Sequence, residues 1–402
     1  MAKTLTDYET ALARALEAVR PTATQTVALA EAAGRVLREP IIADRDQPPF
    51  NRSAMDGFAL RADEVRPGAV WRIVGRVDAG SAQQHYLTPV EAGEARRIAT
   101  GAPVPAGADC VIPIEQASAA GDELSATVDR AKRWQNVHRQ GSDAAAGAVV
   151  IEPGTMLGPQ HVGIAAAVGA VALRVGVPPR AALLSTGDEL RDAGAEAPAT
   201  HEIRNSNGPM VQVLVERMGA TLAQVEHLPD DLDATVEACR RAAASSDLVI
   251  TTGGVSVGER DHLPAAWAAV GARVIVHGIA IKPGKPVFIA TLDGCTILGL
   301  PGNSVSVFCT AHLFAWPIVR HLLGQPAALP WRESKLAGPV RANANKDVFR
   351  AAREFGRDAV EVLPWQGSGD LMHTARATCW VRLPRQDGET QAGRTVDVLP
   401  MI

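Results

Sequence analysis

The chain has 402 residues, of which 47% are hydrophobic and 21% charged, and its formal net charge is −4. This length predicts more than one domain, and the slightly acidic balance argues against a nucleic-acid-binding protein. The first residues lack the apolar segment of a signal peptide, and no stretch approaches the roughly 18 apolar residues of a membrane span. Five cysteines are scattered without metal-ligand or redox spacing. We therefore expect a cytoplasmic protein with no membrane or nucleic-acid partner and with reduced thiols.

The first part of the chain mixes helical and β patterns. Apolar residues at helical spacing predict a helix over residues 5–19, which Pro21 ends, and a second helix over 27–37. From 50 to 143, short apolar runs alternate with Gly and Pro turns, which is typical of small β structure. Helix-like and strand-like segments return between 144 and 178.

From residue 179 the pattern becomes βαβ. Strands are predicted at 181–185, 223–228, 247–250, 273–281, 287–290 and 296–300. Helices are predicted at 207–218, with Asn207 as the cap, and at 232–244, 263–270 and 304–323. Strands that alternate with helices predict a mostly parallel sheet. From 326 onward helical periodicity is missing, and alternating apolar residues predict a small β-barrel or sandwich.

The most informative loop is 251–261, Thr-Thr-Gly-Gly-Val-Ser-Val-Gly-Glu-Arg-Asp, which follows a buried strand and precedes a helix. Glycines at such a turn let backbone amides approach an anion, and its carboxylates could hold a metal. Two further turns, 185–190 and 299–304, also follow predicted strands of the same sheet. Because the carboxyl ends of parallel strands meet at one edge, we expect the three loops to form one crevice.

This crevice has the chemistry of a phosphate and metal site. Its predicted phosphate donors are Thr252, Gly253, Gly254, Ser256 and the helix amides that follow Pro301, Gly302, Asn303 and Ser304. Lys282 and Lys285 add positive charge near oxyanions. Glu189, Asp230 and Asp261 would repel an anion unless a cation lay between, and Mg²⁺ suits carboxylates combined with phosphates. For Asp230 a second interpretation stays open, because Asp230 and Asp231 precede the helix at 232 and either could cap it.

Several motifs occur in an order that is specific to one family. They are Ser53–Ala59 (Ser-Ala-Met-Asp-Gly-Phe-Ala), Ala99–Pro105 (Ala-Thr-Gly-Ala-Pro-Val-Pro), Thr186–Leu190, Thr252–Gly258 with Asp261, Lys282–Pro286 and Gly299–Asn303. Together they resemble the molybdopterin molybdenumtransferase family of the MoeA type, to which the gephyrin E domain also belongs. The resemblance covers nearly the whole chain.

The resemblance implies a multidomain α/β fold. Domain I would be elongated and discontinuous, over 1–45 and 144–178, and domain II a small, mainly β domain over 46–143. Domain III, over 179–325, would be the molybdopterin-binding parallel-sheet α/β domain, and domain IV, over 326–402, a C-terminal β-barrel. Family members are homodimers in which domains II and IV of one subunit face the α/β domain of the partner.

The implied reaction is the last step of molybdenum cofactor synthesis. Adenylylated molybdopterin and molybdate give molybdenum cofactor and AMP, with Mg²⁺ present. By position the resemblance assigns functional roles to Asp56, Thr100, Asp143, Glu189, Asp230, Asp261 and Lys282, with Glu189 and Asp261 as Mg²⁺ ligands. It also makes a molybdopterin adenylyltransferase and molybdoenzyme maturation proteins expected partners.

The match has departures, and other functions stay open. Ser304 replaces a usual Pro and Gly278 replaces a Lys found in some relatives, so one cationic contact is expected to be missing. The last domain diverges most, with Arg350, Arg353 and Ser368 as further candidates. The alternatives are adenylylation of molybdopterin with ATP, a scaffold role, and a preference for tungstate over molybdate.

Overall fold

The computed structural model describes residues 5–196, 198–255, 262–356 and 358–402. In this part of the chain no helix is both long enough and apolar enough to cross a membrane. The helix predicted near the start is confirmed as Tyr8–Ala18, and Asp7 caps it by accepting a hydrogen bond from the Thr10 amide at 2.9 Å. Its buried face holds Tyr8, whose ring meets Phe314 and Phe349 edge-on.

The second predicted helix, over 27–37, is wrong. Thr24–Ala28 is a strand that pairs antiparallel with Ala172–Gly176, and only the short 3₁₀ turn Leu29–Glu31 follows it. Gly34 has a φ of 78°, which is incompatible with a continuing helix. The pairing with a strand more than 140 residues away outweighs local helical spacing. Nearby, Ile41–Ile42 pairs with Val149–Ile151, and the helix Pro159–Ala167 packs over them.

A six-stranded sheet forms the region after residue 50. Its strands are, in spatial order, Cys110–Pro113, Gly57–Leu60, Glu94–Ile98, Val70–Val77, Glu123–Ala126 and Ala117–Ala120. A short helix, Gln84–Leu87, and a small pair of strands, Arg52–Ser53 with Val137–His138, complete this β region. The predicted β texture is therefore confirmed.

The α/β region has a six-stranded mixed sheet between two helical layers. Its order is Thr221–Leu228, Arg180–Thr186, Leu248–Thr252, Cys295–Leu300, Phe288–Leu292 and Arg273–His277. The first four strands are parallel to one another, Phe288–Leu292 is antiparallel to Cys295–Leu300, and Arg273–His277 is antiparallel to Phe288–Leu292. The helices are Asn207–Arg217, Leu232–Ser245, Leu263–Ala269 and a continuous run made of Ser304–Thr310, the π-helical turn Ala311–Ala315, and Trp316–Leu323.

Alternate residues of the central strand Leu248–Thr252 pack against the two helical layers. Ile250 packs with Leu214 and Phe314 on one face of the sheet, whereas Val249 packs with Ala238 and Trp267 on the other. Strands buried on both faces need near-continuous apolar sequence, which the three inner parallel strands have. The predicted mostly parallel α/β fold is confirmed.

The last region is a barrel, which decides between the two predicted β architectures. Five strands close on themselves in the order Asp347–Phe355, Ala359–Val362, Arg332–Leu336, Thr395–Pro400 and Cys379–Leu383, the last pairing again with the first. Ile281–Lys282 pairs with the start of Asp347–Phe355, which fixes the barrel against the α/β region. Short additional elements are Val340–Arg341 with Glu389–Thr390 and the 3₁₀ helix Met372–Arg376.

Candidate functional site

Three loops converge at the carboxyl ends of the parallel strands. The Gly253 amide donates to the carbonyl oxygen of Leu300 at 3.2 Å. A methyl group at Gly253 would lie 3.0 Å from the Thr186 hydroxyl oxygen, and one at Gly302 would lie 3.6 Å from the Gly253 α-carbon. The loops after residues 185, 252 and 300 are therefore in contact, as the parallel topology predicts.

These loops enclose a cavity of about 360 Å³. Nine residues predicted from the sequence line it: Glu189, Asp230, Thr252, Gly253, Gly254, Pro301, Gly302, Asn303 and Ser304. Two others, Ser256 and Asp261, lie outside the described residues, so the structure gives them no position. We call this space the acidic cavity because it contains the carboxylates of Glu189 and Asp230.

The acidic groups are positioned by the turn that follows the strand Arg180–Thr186. Gly187 has a φ of 136°, and a methyl group there would lie 2.4 Å from a Glu189 carboxylate oxygen, so the side chain of Glu189 folds over this glycine. Asp230 joins the same turn, since its amide donates to the Asp188 carboxylate at 3.1 Å. Asp231, not Asp230, caps the following helix by accepting from the Ala234 amide at 2.8 Å. The capping interpretation of Asp230 is therefore wrong; its carboxylate instead accepts from the Asp188 amide at 3.5 Å, and the residue lines the cavity.

The donor set of the acidic cavity suits Mg²⁺ in part. Among the described residues no cluster of three or more His, Cys, Asp or Glu side chains could enclose a metal. Mg²⁺, however, is usually held by one or two carboxylates together with substrate phosphates and water. Glu189 and Asp230 provide hard oxygen ligands of that kind on one wall. The residues therefore fit a cation that arrives with a phosphorylated ligand.

Several predicted phosphate donors already have partners. The Thr252 hydroxyl donates to the Ser185 hydroxyl oxygen at 3.2 Å, and the Val305 amide donates to the Ser368 carbonyl oxygen at 3.0 Å. Ser304 shares a hydrogen bond with the Ser206 hydroxyl at 3.2 Å. These groups shape the cavity wall, and their donors form hydrogen bonds within the fold.

A second cavity, of about 530 Å³, adjoins the first and carries the opposite charge. Lys282 and Lys285 line it, and we call it the basic cavity. It shares a wall with the acidic cavity, formed by Pro286, Pro301, Gly302 and Asn303. Lys346, which the sequence analysis missed, lies beside it: burial and the positive charges of Lys285 and Lys282 lower the pKa of Lys346. Its place follows from the pairing of Ile281–Lys282 with the barrel, which no local pattern predicts.

The barrel contributes one loop to the basic cavity. Asn303 donates through its side-chain amide to the Ser368 hydroxyl at 2.8 Å, and Trp365 and Ser368 line the cavity. Behind Trp365, the Arg350 guanidinium lies 4.5 Å from the ring centroid, and burial lowers the pKa of Arg350 to about 10. Arg353 pairs instead with Glu361 at 2.9 Å and lines neither cavity.

Three predicted site residues lie elsewhere. Asp56 accepts a hydrogen bond from the Thr100 amide at 2.8 Å, so the structure brings these two together in the β region. Asp143 is exposed and accepts from the Ser142 hydroxyl at 3.1 Å. None of the three lines the acidic or the basic cavity. Their participation in one site through a partner subunit stays a prediction.

The helix Asn207–Arg217 begins at the predicted residue, but Asn207 is not its cap. The cap is Asn205, whose side-chain oxygen accepts from the Gly208 amide at 2.9 Å. Asn207 is buried and donates to the Gly302 carbonyl oxygen at 2.7 Å, so it ties this helix to the shared wall. Both asparagines and Ser206 line the acidic cavity. The run Asn205-Ser206-Asn207 before an apolar helix was the sequence feature that could have indicated these polar residues at the cavity.

The backbone at residue 278 favours glycine. Its φ is 90°, and an added methyl group would lie 3.0 Å from a Leu5 side-chain carbon. A lysine at this position would therefore be strained. Lys346 supplies positive charge beside Lys282 and Lys285 from a different part of the chain.

The five cysteines are all buried and unpaired. Burial raises the pKa of Cys110, Cys239 and Cys295 to about 12 and that of Cys379 to about 11. Thiols held in the neutral form are poor nucleophiles and metal ligands. The expectation of inert thiols is confirmed for this chain.

Comparison with protein-family models gives three matches along the chain. Residues 6–169 match the MoeA N-terminal region (domain I and II). Residues 182–321 match a probable molybdopterin-binding domain, and residues 333–401 match the MoeA C-terminal region (domain IV). The acidic cavity lies within the second matched region, and the basic cavity uses residues of the second and third.

Known proteins are similar over almost the full length. A molybdopterin molybdenumtransferase from Staphylococcus aureus (strain MSSA476) is 33% identical over 383 residues, 93% of this chain and 90% of the relative. One from Staphylococcus epidermidis (strain RP62A) is 31% identical over 92% of this chain and 90% of its own length. A solved molybdopterin biosynthesis MoeA protein from Pyrococcus horikoshii OT3 superimposes with a TM-score of 0.85 at 27% identity, covering 99% of this chain and 100% of that one.

Proposed function

The chain belongs to the MoeA-type molybdopterin molybdenumtransferase family and is a transferase of molybdenum cofactor biosynthesis, and we propose that it inserts molybdate into adenylylated molybdopterin with release of AMP. The observation that carries this proposal is the shared wall between two cavities of opposite charge. A reaction that joins an oxyanion to a phosphorylated ligand needs sites for both within reach of each other.

The acidic cavity would hold the phosphorylated substrate. Glu189 and Asp230 would bind the cation that accompanies the phosphates, with Asp261 as a further ligand. Bound Mg²⁺ would neutralise charge on the pyrophosphate and on the departing AMP. Gly253, Gly254 and Gly302 lack side chains, so the ligand can approach the backbone on three sides.

The basic cavity would hold molybdate. Lys282 and Lys285 carry positive charge on its wall, with Lys346 beside them, and Ser368 offers a hydroxyl. Overall, two molybdate oxygens would leave as two water molecules when the two dithiolene sulfurs bind the metal, with two protons from the dithiol and two from solvent. One equivalent of water would be consumed as the phosphoanhydride P–O bond breaks, so that AMP leaves with its phosphate.

We further propose that the working protein is a homodimer. Asp56, Thr100 and Asp143 line neither cavity of their own chain, and a partner subunit could place them over the shared wall. A molybdopterin adenylyltransferase would supply the substrate, and molybdoenzyme maturation proteins would receive the product.

The test is AMP release from adenylylated molybdopterin with Mg²⁺ while molybdate or tungstate is titrated. We expect release that depends on the oxyanion and on Mg²⁺, and the comparison of the two oxyanions gives the metal preference. Glu189→Gln should lower the rate about tenfold or more by weakening the cation site. The matched control is Glu123→Gln, which removes the same charge from an exposed strand of the β region and should keep the wild-type rate.

Two results would contradict the proposal. ATP-dependent adenylylation of molybdopterin without molybdate would establish the sister activity instead. A folded dimer that releases no AMP under any of these conditions would favour a scaffold role.

A further inference from the structure

Asn207 carries a polar atom that the fold does not use. Its side chain is 8% exposed and borders the acidic cavity. The amide nitrogen donates to the Gly302 carbonyl oxygen at 2.7 Å. The amide oxygen, Oδ1, is buried and has no hydrogen-bond partner within the described part of the chain. A buried acceptor without a donor is destabilising, so such an atom in a cavity wall needs an explanation.

The orientation of the amide follows from its partner. The Gly302 carbonyl can only accept, so the nitrogen of Asn207 must face it. Turning the amide over would place two acceptor oxygens together and lose the hydrogen bond. Oδ1 is therefore held on the opposite side of the side chain, and a suitable ligand must bring an N–H or O–H donor to it.

The neighbouring groups restrict what that donor can be. Glu189 and Asp230 give the cavity negative charge and suit a cation with phosphate oxygens, which are acceptors and cannot satisfy Oδ1. Asn205 already accepts from the Gly208 amide, and Ser206 and Ser304 are bonded to each other. Oδ1 of Asn207 is thus a buried neutral acceptor on this wall that no described residue satisfies.

We propose that Asn207 reads an exocyclic amino group on the heterocycle of the substrate, with Oδ1 accepting from that N–H. This inference rests on the proposed function, whose substrate has two such groups, one on the pterin and one on the adenine. Both are neutral aromatic amines with the same hydrogen-bonding chemistry. An oxo group at either position would set two acceptors against each other and would be rejected.

The experiment uses two pairs of probes that each exchange one amino group for an oxo group. AMP is compared with IMP, and pterin with lumazine, in calorimetric titrations of the full-length protein with Mg²⁺. We expect the wild type to bind the amino form of one pair about tenfold more tightly, a factor that corresponds to 1.4 kcal/mol. The pair that discriminates identifies the ring that Asn207 contacts.

The variant Asn207→Ala should remove the discrimination by weakening the amino form alone. Asn136→Ala is the matched control, because the side-chain nitrogen of Asn136 also donates to a backbone carbonyl, that of Val111 at 2.9 Å, but the residue lines neither cavity. That control should retain the discrimination ratio even if its melting temperature falls. Restoration of part of the ratio in Asn207→Gln, which keeps an amide, would support direct contact.

The outcomes separate this inference from the proposed function. If both members of each pair bind equally well to the wild type, Asn207 reads no amino group, while the function proposed above stands. If Asn207→Ala keeps the wild-type ratio, another residue makes the contact and the inference is wrong. If the wild type binds neither AMP nor pterin, the assignment of the acidic cavity to this substrate fails as well.

Discussion

Acidification should weaken the contact between the barrel and the α/β region through one buried histidine. His312 is fully buried, lies edge-on to Phe308, and has Trp380 of the barrel within ring contact. Its Nδ1 contacts the Phe308 carbonyl oxygen at 2.8 Å, and its Nε2 accepts from the Ile402 amide at 3.3 Å. A ring that accepts at one nitrogen must be neutral, with its proton on Nδ1.

Burial lowers the pKa of His312 to about 4. Above pH 6.5 the ring is neutral in both the folded and the unfolded chain, and the histidine adds no pH dependence. As the pH falls from about 6.5 to about 4, the unfolded chain takes up a proton that the folded chain refuses, so stability falls. At about 1.4 kcal/mol per pKa unit, the full loss is about 3.5 kcal/mol, of which about 2.5 kcal/mol is reached by pH 4.5.

The assay is urea unfolding followed by tryptophan fluorescence at pH 7.5 and pH 4.5, since Trp316 and Trp380 flank the ring. His312→Gln, which keeps an acceptor but does not titrate in this range, should lose about 2.5 kcal/mol less than the wild type between the two pH values. The exposed His85→Gln is the control and should show the wild-type difference. Equal pH differences in the wild type and His312→Gln would refute the reasoning.

Three further predictions concern the two cavities. Gly187→Ala should displace the Glu189 side chain, because the new methyl group would lie 2.4 Å from its carboxylate, and should add about 1–3 kcal/mol of backbone strain. The rate of AMP release and the melting temperature should therefore both fall. An unchanged rate would contradict the placement of Glu189. Ser368→Ala removes the 2.8 Å bond from Asn303 and should raise the KM for molybdate several-fold at a stability loss of about 1 kcal/mol, whereas Ser118→Ala in an exposed strand should change neither. Lys346→Met should weaken tungstate binding several-fold and reduce its salt dependence in calorimetry at two ionic strengths; an unchanged salt dependence would show that Lys346 does not act on the oxyanion.

The α/β region was predictable because its signals are local. The strand Leu248–Thr252 is a short apolar run followed by glycines, and such a run can be recognised without knowing its neighbours. The loops that follow parallel strands must meet at one edge, so Glu189 and Gly253 could be assigned to one crevice from their positions in the chain.

What the sequence did not reveal depends on distant partners. The apolar residues around Val27 have helical spacing, but Val27 lies in a strand and is paired with Leu173. That pairing is visible only in the tertiary structure. Lys346 lies near Lys282 because the two-residue strand Ile281–Lys282 pairs with the barrel strand that begins at Asp347. Asn303 and Ser368 are 65 residues apart and meet only after both regions have folded. Hydrogen-bond partners and charge clusters across domains have no periodic signature in a single sequence.

Gly302 offers a way to test the shared wall without disturbing the fold. Unlike Gly187, it has no positive φ, and an added methyl group would lie 3.6 Å from the Gly253 α-carbon, an ordinary van der Waals distance. We therefore expect the free energy of unfolding of Gly302→Ala to lie within about 1 kcal/mol of the wild-type value.

The same methyl group would nonetheless project where both cavities meet. If the phosphorylated substrate and the oxyanion approach each other across this wall, Gly302→Ala should slow AMP release at saturating molybdate. Binding of AMP alone should change less than the rate, because only the reacting arrangement brings both ligands against residue 302. A variant with wild-type kinetics would place the reacting atoms away from this wall, and the reaction would then have to occur against another part of the acidic cavity.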